Sequence, residues 1–237
     1  MAYANWQTRS PGTFLLGGFM KLFIKNIELN FTKIGVGKPL IMLHGNSEDL
    51  SIFNELSDSL KEKYQIYLID LRNHGKSTLT DDFSYDIMAY DIYQFVNKLK
   101  LDKPHFFGFS DGAIIGMLLS ISYPDLFDHL ILAGGNLSPK GVKKKAFLKM
   151  NAYYEKTKSP YYEMMINQPN ILSKDLKKIQ NKTLILAGEH DLIKDSHTQM
   201  IHRNIKDSKL LILPNKRHED YIVNTDFLKD ILIDFYQ

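Results

Sequence analysis

Gly108-Phe109-Ser110-Asp111-Gly112 sets a serine between two glycines, directly after the apolar run His105-Phe106-Phe107 and before the helix-like stretch Ala113-Ile114-Ile115-Gly116-Met117-Leu118-Leu119. A serine at so sharp a strand-to-helix bend is held in a strained backbone conformation with its hydroxyl outward, and side chains two residues either side would collide. Glycine has no Cβ to collide. The spacing therefore predicts a nucleophile elbow. It also selects the attacking residue, because the glycines are centred on Ser110, whereas centring on Asp111 would place Phe109 at a crowded position. An alcohol is a poor nucleophile at neutral pH, so Ser110 needs a base within hydrogen-bond reach and a carboxylate to orient that base. Two later loops offer such groups. Thr183–Ala187 runs into Gly188-Glu189-His190-Asp191, and Leu210–Leu213 runs into Pro214-Asn215-Lys216-Arg217-His218, which supplies Asp191 and His218.

Groups of this kind gather on loops at the carboxyl ends of strands in open α/β sheets, and the chain carries the alternation such a sheet requires. Leu22–Lys25 and Ile27–Phe31 alternate as a pair of half-buried antiparallel strands. The runs Pro39–Leu43, Ile66–Ile69, His105–Phe107 and Leu130–Ala133 are continuously apolar, as strands covered on both faces should be. Helical patterns lie between them near residues 50–62, 85–99 and 112–122, two further strands follow at Thr183–Ala187 and Leu210–Leu213, and a last helix is expected over about 226–236. This predicts a mostly parallel central sheet flanked by helices. One region, about 136–182, interrupts the alternation with helical segments rich in Tyr and Met and is expected to form a small helical cap. Its Met150, Tyr153, Tyr154, Tyr161, Tyr162, Met164 and Met165 could roof an apolar pocket, or simply pack the cap onto the body.

The length of 237 residues suits one domain able to bury its own core. With no cysteine, disulfides, thiolate metal sites and cysteine nucleophiles are excluded together, which fits a cytoplasmic location. No apolar stretch approaches the length of about 20 residues that spans a membrane, so stable membrane insertion is not expected. Residues 1–19 read as a leader or disordered extension ahead of Met20, without the basic start and long apolar centre of a secretory signal. The net charge of +3 hides an asymmetry: Lys140–Lys182 holds eleven lysines against Glu155, Glu163 and Asp175, leaving an acidic body. A solvated helical face explains such a run, and a lid attracting anionic substrates or a membrane surface is the sharper alternative.

With its nucleophile, acid and histidine in the order Ser110, Asp191, His218, the chain resembles the α/β-hydrolase family from about Leu22 to the C-terminus. His44-Gly45-Asn46 stands where that family places half of its oxyanion hole, so the resemblance implies that the backbone N–H groups of Asn46 and Asp111 stabilise a tetrahedral intermediate. Asp70-Leu71-Arg72-Asn73-His74-Gly75-Lys76-Ser77 is similar to the family's structural Asp-x-Arg-x-x-Gly-x-Ser turn. Glu189 and Asp195 rival Asp191 as the acid, which alone matches the family's Gly-x-x-Asp spacing from Gly188; the loop Gly134-Gly135-Asn136 offers no carboxylate. Arg217 departs from the glycine common before the family's histidine.

What the resemblance implies is a serine hydrolase acting on a small or medium acyl ester, with no cofactor, metal or nucleic-acid partner. Thioester, aminoacyl and carbon–carbon bond hydrolysis use the same triad, as do perhydrolase and haloperoxidase side activities, and a ligand-binding protein without turnover shares the scaffold. Asp111 is expected to favour the helix N-terminus, with recognition of amine-bearing esters as the alternative. His44 and His74 read as structural, His105 and His129 as partly exposed strand-flanking residues, and His190 as a surface loop residue. His197 and His202 are five apart and miss the four-residue helical spacing of a zinc pair.

Overall fold

The computed structural model describes residues 18–237. Of the expected leader, residues 1–17 lie outside the described residues, while Phe19 is described, with the Lys76 ammonium 3.4 Å from its ring centre. Eight strands form one sheet: β1 (Met20–Ile24), β2 (Ile27–Ile34), β3 (Lys38–Leu43), β4 (Tyr64–Ile69), β5 (His105–Phe109), β6 (His129–Ala133), β7 (Lys182–Gly188) and β8 (Ser208–Leu213). Their spatial order is β1-β2-β4-β3-β5-β6-β7-β8. Strand β1 pairs antiparallel with β2 and β2 antiparallel with β4, and every pairing from β4 to β8 is parallel.

The continuous apolar runs have the cause read from them, since both faces of the sheet are covered. In β3, Ile41 and Leu43 join a core with Phe106, Leu132 and Ile185, while Leu40 and Met42 join the opposite core with Phe107, Ile131 and Leu186. Helices α2 (Tyr85–Lys98), α3 (Asp111–Ser122) and α6 (Asp195–Asn204) cover the first face through residues such as Ile92, Phe95, Ile114, Met117 and Ile201. Helices α1 (Asn54–Leu60) and α7 (Lys229–Tyr236) cover the second through Leu56, Leu60, Leu232 and Phe235. A Cβ at Gly116 would stand 2.4 Å from the Phe106 ring, so glycine there lets α3 lie close on β5.

Between β6 and β7 the segment expected as a cap holds α4 (Lys144–Thr157) and α5 (Pro160–Asn167), flanked by short 3₁₀ turns at Pro139–Gly141 and Ser173–Lys178. Helix α4 buries no residue fully and leaves Lys144, Lys145, Lys149 and Lys156 in solvent. Of the aromatic and Met residues singled out in the cap, Met164 is buried, and Tyr161 donates to the Asn73 carbonyl at 2.5 Å while packing on His74 and Phe83. These contacts anchor the segment to the turn after β4. That turn is closed by Asp70, whose carboxylate accepts from Asn30, Leu50 and Lys76 at 2.8 Å each, and by the bidentate Arg72–Asp91 pair, also at 2.8 Å. Gly75 has φ +53°, and a Cβ there would lie 2.2 Å from the Asp70 carboxyl.

Two expectations need correction. His105 is buried, 2% exposed, because Tyr236 stacks on its ring at 4.4 Å. The C-terminal helix begins at Lys229 rather than near 226, following a turn closed by Lys229 N–H on the Asp226 carbonyl.

Candidate active site

The sheet changes its winding direction at β3: β4 lies on one side of it and β5 on the other. Loops leaving the carboxyl ends of β3 and β5 therefore diverge around a crevice, the usual binding place of open α/β sheets. The first loop is His44-Gly45-Asn46 and the second is the Ser110 bend. The loops after β6, β7 and β8 follow in spatial order, so Gly134, Asp191 and His218 gather at the same mouth.

Ser110 has φ +51° and ψ −109°, a conformation that costs a non-glycine residue of order 1–3 kcal/mol and needs surrounding bonds to hold it. Its N–H donates to the Ala133 carbonyl at 2.8 Å, and Gly112 N–H donates to the His44 carbonyl at 3.1 Å. Both elbow glycines are required by close backbone approach. A Cβ at Gly108 would lie 2.3 Å from the Gly112 carbonyl oxygen, and one at Gly112 would lie 2.3 Å from that of Leu43.

His218 Nδ1 is 2.7 Å from Asp191 Oδ1, and His218 Nε2 is 3.2 Å from Ser110 Oγ. The carboxylate accepting at Nδ1 leaves Nε2 as the lone-pair nitrogen facing the hydroxyl. Asp191 also accepts from the backbone N–H groups of Ile193 at 2.9 Å and Gly188 at 3.3 Å. Burial raises the Asp191 pKa, but the His218 ring and these N–H groups outweigh it and the net shift is downward. For His218 burial acts to lower the pKa, and the charge and hydrogen bond of Asp191, assisted by Glu48 and Glu219, turn the net shift upward.

The rival acids lie elsewhere. Glu189 is exposed and accepts from Asn215 N–H at 2.8 Å, and Asp195 opens α6 with Lys143 at 3.8 Å. Arg217, in the place where glycine is common, bonds Asp220 through its backbone N–H at 2.8 Å and its guanidinium at 3.1 Å. His44 Nε2 accepts from Leu71 N–H at 3.0 Å while Nδ1 donates to the Gly45 carbonyl at 2.8 Å; burial first of all holds its pKa at about 4. His190 is exposed, and His197 Nε2 accepts from Leu137 N–H at 2.9 Å.

Asp111 does more than open a helix. Its Oδ1 accepts from the Tyr85 hydroxyl at 2.8 Å and its Oδ2 from Asn46 Nδ2 at 3.1 Å, and burial raises its pKa to about 6. The carboxylate thus ties the elbow to the loop after β3. Three further residues were not found by sequence reasoning. Gly134, with φ +65°, lacks a Cβ that would sit 2.7 Å from His218 Cε1, so it makes room for the imidazole. Phe109 packs on that ring at 4.9 Å. Glu48 accepts from Gly45 N–H at 2.8 Å, and burial raises its pKa to about 7. Only Gly134 left a trace in the sequence, as half of a glycine pair after an apolar strand. A cavity of about 330 Å³ lies beside Tyr85, Gln168 and Ile171, and Ser110, Asp191 and His218 are not among the residues lining it.

A mostly parallel sheet with an elbow serine, a histidine and a carboxylate at its carboxyl mouth defines the α/β hydrolase class of protein. The chain belongs to the α/β hydrolase fold family, whose pattern matches residues 38–163. It is similar to the serine hydrolase BPHL of Homo sapiens, 22% identical over 249 aligned positions that cover 92% of this chain and 86% of BPHL. Among solved structures it is similar to a naproxen esterase of Bacillus subtilis, with a TM-score of 0.78, 14% identity and coverage of 93% and 92% of the two chains. It is also similar to a meta-cleavage product hydrolase of Pseudomonas fluorescens IP01, with a TM-score of 0.75, 18% identity and coverage of 92% and 97%. At these identities the structural likeness is one of fold. Among the described residues no helix is long and apolar enough to cross a membrane.

Proposed function

We propose that the protein is a serine hydrolase cleaving small or medium acyl esters through an acyl-enzyme. The observation that carries this reading is the unbroken chain of contacts from Asp191 through His218 to Ser110, at 2.7 and 3.2 Å. His218 Nε2 takes the Ser110 proton as Oγ bonds to the acyl carbon, and the carbonyl π electrons move to its oxygen. The oxyanion is received by the backbone N–H groups of Asn46 and Asp111, each worth roughly 3 to 4 kcal/mol in such sites. Collapse expels the alcohol, which takes the proton back from His218. Water then repeats the sequence on the acyl-enzyme, giving the acid and free Ser110.

Asp191 steadies the imidazolium formed in each half-reaction. The bonds of Asp111 to Tyr85 and Asn46 give its carboxylate a positioning role, holding the two donor-bearing residues at a fixed separation. An ester is favoured because its leaving group departs readily once the tetrahedral intermediate forms. Incubation with a fluorophosphonate probe and a panel of p-nitrophenyl esters of increasing chain length tests the reading. Rapid labelling and ester turnover are expected for the wild type and neither for Ser110→Ala. Slow labelling with no turnover across the panel would instead identify a binding protein with an idle serine.

A further inference from the structure

Strand β5 carries Ser110 beyond one end and begins, about 16 Å away at 3.3 Å per residue, with His105 at the other. There His105 and His129 are the first residues of neighbouring parallel strands, and Asp128 immediately precedes β6. One ligand atom from each of His105, Asp128 and His129 lies within 4.8 Å of the other two. His129 Nδ1 is 3.1 Å from Asp128 Oδ1, and His105 Nδ1 is 3.9 Å from Oδ2. Neither approach is a hydrogen bond, and both buried Nδ1 atoms are without a hydrogen-bond partner among the described residues. A buried polar atom left unsatisfied is destabilising. Tyr236 stacks on the His105 ring at 4.4 Å, which fixes the plane of the imidazole, and is itself pinned by its hydroxyl bond to the Phe106 carbonyl at 2.7 Å.

We propose that His105, Asp128 and His129 form a binding site for a divalent transition-metal ion of the zinc, cobalt or nickel class. Two imidazoles and one carboxylate are the donor set these ions favour. Bonds of about 2.0–2.1 Å to nitrogen require the ligand atoms to draw in to roughly 3.4 Å apart. The movement falls to Asp128 and His129, whose side chains are 35% and 19% exposed and which also open the site to solvent. Asp128 serves two partners: Lys38 takes Oδ2, and Oδ1, nearer His129, takes the ion. Water completes the coordination. The Lys38 ammonium that holds Oδ2 stands beside the site. The same ammonium opposes a second cation, so Lys38 sets the affinity of the site.

The test is zinc titration of EDTA-stripped, dialysed protein by calorimetry, with thermal melts in parallel and far-UV circular dichroism to confirm that each variant folds. One saturable equivalent and a zinc-dependent rise in Tm are expected. His129→Ala and Asp128→Asn, at partly exposed positions, should weaken binding at least about tenfold, and Lys38→Gln should tighten it. Absence of saturable binding in both the wild type and Lys38→Gln would overturn the proposal. So would wild-type affinity in His129→Ala, which would assign the ion to other histidines such as the exposed His190.

Discussion

The two mouths of the sheet hold the same residue types and treat them in opposite ways. At the carboxyl end His218 has a partner for each nitrogen, Asp191 at 2.7 Å and Ser110 at 3.2 Å, and its pKa is raised. At the amino end His105 and His129 stand around Asp128 with Nδ1 atoms that have no hydrogen-bond partner among the described residues, and the His105 pKa is held at about 4. Burial does not separate the two, since His218 and His105 are both buried and burial alone lowers both. The commitment of the carboxylate does. Asp191 is aimed at an imidazole and fixed by two backbone N–H groups, whereas Asp128 is taken by Lys38, so little of its charge is left to hold a proton on His105. One arrangement favours imidazolium and suits proton transfer; the other favours a neutral lone pair and suits a ligand.

The contrast breaks most sharply at Asp191. Asp191→Asn removes the charge that raises His218 and is expected to lower kcat/KM for esters by about 10⁴-fold. The raised His218 pKa is expected to place the acidic limb of the wild-type pH–rate profile above 6.5, and the substitution should move that limb to lower pH. An unshifted limb would show that another group governs it. Gly134→Ala tests whether space at the imidazole matters as much as charge. A Cβ 2.7 Å from the ring, at φ +65°, should displace His218 and cost about 10²-fold in kcat/KM. Activity at the wild-type level would mean that the ring has room to spare.

The smallest effect compares the two mouths through stability. Below pH 6.5 the unfolded chain binds a proton at His105 that the folded chain refuses until about pH 4, so stability falls as pH drops through that window. The gap amounts to about 3 kcal/mol by pH 4. His218, with a raised pKa, acts in the other direction: its contribution is present below 6.5 and is lost as pH rises through the folded-state value. Urea unfolding of His105→Phe, which can keep the stack on Tyr236, should therefore lose about 3 kcal/mol less than the wild type between pH 7 and pH 4. His44 and His74 are also held at about 4 and stay in both proteins, so the difference isolates His105. Parallel pH curves would show that His105 is not the refusing group.

The strands of the sheet were legible because burial on two faces writes itself as unbroken apolar runs, and the bend at Ser110 because crowding at a tight turn demands glycine at Gly108 and Gly112. Short-range sterics leave a local record. Glu48 was missed although the N–H it accepts from, that of Gly45, is three residues away. The room that Gly134 makes for His218 and the Asp111–Tyr85 bond were not legible, since each depends on residues tens of positions distant. His105 misled for the same reason. Its place at a strand start suggested exposure, and only the return of α7 across the sheet, bringing Tyr236 over its ring, buries it. The amino acids in order determined the layered fold, the elbow and the loops on which an acid and a base could stand. The spacing from Gly188 pointed to Asp191 for His218, but the bonds that aim the pair and the burial that sets its charge were decided by tertiary structure, because hydrogen-bond direction and desolvation belong to the surroundings of a group and not to its neighbours in the chain.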